Sequence, residues 1–135
     1  MRIGIIGAGK VGGALCKSLR EAGVNIAGLT AGTEADTLAA AAKFHVKGFA
    51  SNEELAANSD VLFLTVPDRL VGAVASELAQ TFSNRSDAQS LQGKIFFHCS
   101  GSLGLEELQP LAESGADIGS LHPLQSFASA DVSFQ

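Results

Sequence analysis

Cysteine and charge are both scarce in this sequence, and each scarcity removes a class of protein. Only Cys16 and Cys99 are present among the 135 residues, and their separation fits neither a zinc-ligand spacing nor a disulfide framework. Both are read as reduced, structural thiols, and no metal site is expected. Charged residues make up 17% of the chain, against about 25% in an ordinary domain, and the net charge of −5 is spread without a basic stripe. Nucleic-acid binding needs a clustered cationic footprint and is set aside. No apolar run approaches the roughly 18 residues of a membrane span, no internal repeat is visible, and the chain enters a strand pattern from Met1 onward. No membrane partner and no signal peptide are therefore expected, and the expected location is the cytoplasm.

What the sequence does contain is alternation. Short apolar runs at 2–6, 24–29, 46–49 (a weak one), 61–66, 95–98 and 118–121 are separated by helical stretches, the pattern of βαβ units feeding a parallel sheet. The length fits one domain with a real core. Low charge and 15 glycines suit a sheet covered on both faces, whose strands read as continuous apolar runs. Val11, Leu15, Leu19 and Ala22 form one helical stripe, and Leu70, Val71, Val74 and Leu78 form another. Gly23 closes the first of these helices. Ser51 with Glu54 reads as a capping box, and the Ala-rich stretch 33–43 carries Glu34 and Asp36 in its first turn. Pro110 is expected to start or kink a last helix around 105–114, while the polar stretch 81–92 reads as a surface loop.

Between the first strand and first helix stands Gly7-Ala8-Gly9-Lys10-Val11-Gly12, a G-x-G-x-x-G. Gly7 permits the tight turn, Gly9 lets backbone approach a pyrophosphate, and Gly12 lets the helix pack on the strand. The phosphates of a nicotinamide dinucleotide would rest on unpaired N–H groups at the positive helix end. Strand, motif and helix occur in the correct order, so the expected fold is α/β: a doubly wound parallel sheet of about six strands in a single three-layer Rossmann domain. A methyltransferase-type loop, which usually carries an acid just before its glycines, is disfavoured by Ile5-Ile6. At the second strand's tip the segment Thr30-Ala31-Gly32-Thr33 has no acid for a ribose 2′-hydroxyl. The hydroxyls of Thr30 and Thr33 tilt the expected cofactor toward NADP, with NAD as the other possibility; Thr33 also suits a helix N-cap.

Ligands of open α/β sheets lie outside the carboxyl ends of the strands. Three polar clusters fall there: Thr65-Val66-Pro67-Asp68, His98-Cys99-Ser100-Gly101-Ser102 and His122-Pro123-Leu124-Gln125-Ser126. Asp68 reads as an N-cap, and Thr65, Val66 and Pro67 as a wall beside the nicotinamide ribose. Ser100 and His122 are the candidate catalytic pair, His122 carrying the proton that accompanies hydride transfer and Ser100 orienting it. The plainer account makes His122 a turn residue restrained by Pro123. His98 and His45 read as structural.

Together, Gly7 to Gly12, the Thr65 to Asp68 segment, Ser100-Gly101-Ser102-Leu103-Gly104 and the run from Gly119 through His122-Pro123 to Phe127 resemble bacterial Rossmann-like proteins that carry a C-terminal helical domain of unknown function. That group belongs to the 6-phosphogluconate dehydrogenase-like superfamily. Its more distant relatives include pyrroline-5-carboxylate reductase, deazaflavin-dependent NADP reductase and prephenate dehydrogenase. The resemblance to the last implies substrate-serving roles for Ser100 and His122, although Gln125-Ser126-Phe127 replaces the continuation toward a Gly found there. It also implies a domain layout: an NAD(P)-binding domain at 1–121, and at 122–135 the start of a connection to a helical domain through which the full-length form would be a homodimer.

The expected activity is NADP-dependent oxidoreduction of a small carbonyl or imine substrate, with this chain alone binding cofactor but turning over nothing. The alternative is a nicotinamide-nucleotide sensor module without catalysis. Polar clusters at three strand ends favour the enzyme, since a sensor has no use for a Ser and a His beside the nicotinamide.

Overall fold

A computed structural model describes residues 1–83 and 90–121. Five strands form one parallel sheet: β1 (Ile3–Ile6), β2 (Ile26–Thr30), β3 (Val61–Leu64), β4 (Ile95–His98) and β5 (Asp117–Ser120), in the order β2-β1-β3-β4-β5. Helices α1 (Lys10–Glu21), α2 (Glu34–Phe44), α3 (Asn52–Ala57), α4 (Asp68–Ser83) and α5 (Gln109–Glu113) connect them. From β1 the chain steps outward to β2, then returns to lay β3 on the other side of β1. The crevice opened by that reversal lies between the carboxyl ends of β1 and β3, where a doubly wound sheet binds its ligand.

Side-chain alternation along the strands divides the core in two. Ile3, Ile5, Val61 and Phe63 pack with Leu15 and Cys16 of α1 and Leu29 of β2. Ile6, Leu62, Leu64 and Phe96 pack on the opposite face with Leu55, Val71, Leu78 and Leu111 from α3, α4 and α5. All four residues of β1 and of β3 are buried, which is why those runs carry no polar alternation. Register places Thr30, Ile6, Leu64, His98 and Ser120 in one row across the sheet. The turns that follow them share a single edge.

Three local expectations change. The segment 46–49 is not a strand: it touches the sheet through one bridge, Leu29 to Gly48. Its apolar residues are packed all the same, Phe49 buried in the core on the α4 side and Val46 against the α1-side cluster. Helix α4 extends to Ser83, through part of the expected loop, because Phe82 is buried beneath it. The last helix is shorter than its pattern, a 3-10 turn at Glu106–Leu108 followed by α5 with Pro110 in its first turn. Among the described residues no helix is long and apolar enough to cross a membrane.

Candidate cofactor-binding cleft

A cleft of about 880 Å³ opens at the switch point, lined by the β1–α1 turn, the tip of β2, one face of α2 and the segment after β3. The three glycines of the turn are held for different reasons. Gly7 has φ +101°, and a Cβ there would stand 2.8 Å from the Val66 amide nitrogen. A Cβ on Gly12 would run into the Gly7 carbonyl and stand 2.6 Å from Thr65 Oγ1. Thr65 in turn donates its hydroxyl hydrogen to the carbonyls of Gly7 and Ile6, tying the end of β3 to the turn. Gly9 differs from both, with nothing within 4 Å of its Cβ position. Internal packing therefore does not explain it; a Cβ there would stand in open space at a residue that lines the cleft.

Gly9 is the N-cap of α1, without a side-chain cap and without an acid in the first turn. The first backbone bond of the helix runs from the Gly13 N–H to the Gly9 carbonyl, 2.8 Å. The amides of Lys10, Val11 and Gly12 precede it and have no intrahelical acceptor. Three donors stand at the positive end of a twelve-residue helix, under an open glycine, the donor set and field that an anionic group such as a diphosphate requires. Lys10 adds a cation to the same lining.

At the β2 tip the two threonines are already engaged. Thr30 is buried and donates its hydroxyl to Asn52 Oδ1. Thr33 is the N-cap of α2, its Oγ1 accepting from the Asp36 N–H at 3.1 Å. Thr37 reaches back to accept the Ala31 N–H, 2.9 Å, which fixes the start of α2 against the strand end. Asp36 and Lys43 of α2, together with Asn52, Leu70 and Val74, line the cleft beside residues 7–11, Thr30 and residues 65–67, whereas Gly12, Thr33 and Ser100, also expected there, are not part of its lining. Asp36 is not among the residues expected from the sequence, where an acid one turn beyond the β2 tip signals only a partner for the helix dipole.

Along the edge toward β4, Thr65, Val66 and Pro67 do line the cleft. Asp68 is the first residue of α4 rather than a cap outside it, and its Oδ2 accepts from the hydroxyls of Ser100 and Ser102, both at 2.9 Å. Ser100 Oγ also accepts from the N–H groups of Ser102 and Leu103, at 3.1 and 3.2 Å. One donated and two accepted bonds fill the capacity of a hydroxyl, so Ser100 organises the loop after β4. His98 supports it from beneath. Fully buried, its Nδ1 accepts the Ser100 N–H at 3.1 Å while Nε2 lies 2.8 Å from the Gly104 carbonyl. A carbonyl only accepts, so Nε2 carries the hydrogen and the ring is neutral. Cys99 between them is a free thiol that burial pushes from 9.0 up to about 11, and burial raises the Cys16 thiol as well. His45 ends α2 in a left-handed conformation, φ 58°. His122 and the Gln125-Ser126-Phe127 run lie outside the described residues. Among those that are described, no group of His, Cys, Asp and Glu is placed to hold a metal.

The family described as Rossmann-like domain matches residues 1–123. No curated protein sequence matches the chain. Solved structures do: arogenate dehydrogenase from Synechocystis (TM-score 0.73, 19% identity, 96% of this chain and 43% of that one); imine reductase from Myxococcus stipitatus in complex with NADP⁺ (0.69, 21%, 97% and 43%); and pyrroline-5-carboxylate reductase from Coxiella burnetii (0.69, 18%, 87% and 42%). At these identities the likeness is one of fold. The chain spans less than half the length of each.

Proposed function

From the premise that the chain belongs to the Rossmann-like domain family, we propose that it is the cofactor-binding part of an NAD(P)-dependent oxidoreductase acting on a small carbonyl or imine compound. The observation that carries this reading is the open position at Gly9 above an uncapped α1. The amides of Lys10, Val11 and Gly12 would hold the pyrophosphate, with Gly7 and Ala8 shaping the turn beneath it. Thr65, Val66 and Pro67 would form the wall on the nicotinamide side. The bound nicotinamide supplies or accepts the hydride. The chain's own contribution at the reacting end is proton handling, which we assign to His122, and a rigid loop floor, which we assign to Ser100 locked by Asp68 and His98. The solved neighbours are more than twice as long as the part this chain matches, and we propose that a further helical domain supplies the substrate pocket and a homodimer interface.

Calorimetric titration with NADH, NADPH and S-adenosylmethionine side by side tests the cofactor class. Binding of at least one dinucleotide, with no heat from S-adenosylmethionine, is the expected result. Binding of S-adenosylmethionine alone, or of none of the three, overturns the reading.

A further inference from the structure

We infer that Asp36 sets the cofactor preference of this cleft, accepting a hydrogen bond from the adenosine ribose 2′-hydroxyl and repelling a 2′-phosphate, so that NAD(H) binds in preference to NADP(H). The inference rests on the dinucleotide reading above and makes it specific. The adenosine ribose of a doubly wound fold comes to the end of the second strand, and an acid there selects NAD. In this chain the strand tip itself, Ala31-Gly32, carries no charge, and the acid is delivered one turn into α2.

Geometry puts that acid over the tip. Asp36 Oδ2 lies 4.0 Å from the position a Cβ on Gly32 would take, so the carboxylate overhangs a residue with no side chain of its own. Asp36 also lines the cleft. The hydrogen bond from its backbone N–H to Thr33 Oγ1 anchors the turn from which the carboxylate projects.

The groups able to favour a 2′-phosphate are weaker or misplaced. Thr30 is buried and its hydrogen is directed to Asn52. Thr33 keeps one neutral hydroxyl hydrogen beyond its capping role. The positive end of α2 is already complemented by Glu34 and Asp36 in its first turn. The cations of the lining are Lys10 and Lys43. Lys10 begins α1, where the pyrophosphate would sit. Lys43 is seven residues beyond Asp36, about 10 Å along the helix axis, with its Nζ over the Phe44 ring at 5.3 Å. A 2′-phosphate bearing about −1.5 to −2 charges would therefore meet a carboxylate before it met a cation. Even with water-like screening, that repulsion and the lost carboxylate–hydroxyl bond amount to at least about a tenfold difference in affinity.

Titrating the wild-type chain and D36N with NADH and with NADPH tests the inference, with thermal unfolding as a check that the exposed substitution leaves the fold intact. Wild type is expected to bind NADH at least about tenfold more tightly than NADPH. In D36N the ratio should fall about tenfold or more, NADH weakening while NADPH gains. Wild-type preference for NADPH, or an unchanged ratio in D36N, refutes the role of Asp36 while leaving the dinucleotide reading in place. Failure of wild type to bind either dinucleotide refutes both.

Discussion

A methyl group added at Gly9 and the same group added at Gly12 should fail in opposite ways. At Gly12 the new Cβ meets the Gly7 carbonyl and Thr65 Oγ1, two atoms bonded to each other in the contact that joins β1 and β3. Neither can retreat without opening the turn, so G12A should cost about 1–3 kcal/mol or more. At Gly9 the Cβ meets nothing within 4 Å, and the backbone angles, φ −79° and ψ −154°, are ordinary extended values. Alanine is a poorer N-cap than glycine by a fraction of a kcal/mol, while the stiffer unfolded chain returns about 0.4–1 kcal/mol. The net change in G9A stability is within about 1 kcal/mol, or about 4 °C in melting temperature for a chain of this size. Binding is another matter. The methyl group would hold a diphosphate away from the Lys10 to Gly12 amides, and losing one or two charge-assisted bonds of about 1.5–3 kcal/mol each weakens affinity between about tenfold and about twenty-thousandfold. Urea unfolding with dinucleotide calorimetry on G9A and G12A reads both quantities. A G9A protein that melts normally and still binds with wild-type affinity would refute the assignment of the α1 terminus.

Further outcomes follow from the β4 loop. S100A removes the acceptor of the Ser102 and Leu103 amides and a donor to Asp68; it should lower stability by about 1–3 kcal/mol and speed hydrogen exchange at those two amides, and unchanged exchange there would contradict the locked-loop account. H98F strands the buried Ser100 N–H and removes the donor to the Gly104 carbonyl and should cost about 1–3 kcal/mol or more by urea unfolding; a loss under 1 kcal/mol would count against it. The Cys99 thiol, raised by burial from 9.0 to about 11, holds its proton longer folded than unfolded. Stability should be level below pH 9 and fall between pH 9 and about 11, by at most about 2.7 kcal/mol. C99A should remove that part of the alkaline loss, leaving what Cys16 contributes; an identical pH profile in C99A would show the assignment wrong.

The parts of the fold that were legible in the sequence are those whose signal is local. β1 and β3 are buried on both faces, so their apolar runs are uninterrupted. The caps at Ser51 and Thr33 are written in the residues that make them. The glycine turn was readable because its geometry demands glycine within six consecutive residues. Less legible was anything decided by a distant partner. Apolar residues at 46–49 signal burial equally for a strand and for a crossing loop, and Phe49 is buried in the core without a strand. An acid after a proline at a helix start looks like a cap, and nothing in the neighbourhood of Asp68 announces two serines 32 and 34 residues away. For the same reason Ser100 read as a partner for His122 and not for Asp68. Its bonds from the Ser102 and Leu103 amides are local, but its bond to Asp68 forms only when the ends of β3 and β4 lie side by side. Asp36 was visible as an acid in a first turn, but its overhang at Gly32 depends on how α2 leaves the β2 tip.

The central claim is that a dinucleotide's diphosphate sits on the first amides of α1. Amide chemical-shift mapping of the isotopically labelled chain during titration with NADH tests it most directly. The largest perturbations are expected on Gly9, Lys10, Val11 and Gly12. Saturable binding that leaves those four amides unmoved, with its shifts elsewhere on the molecule, would contradict it.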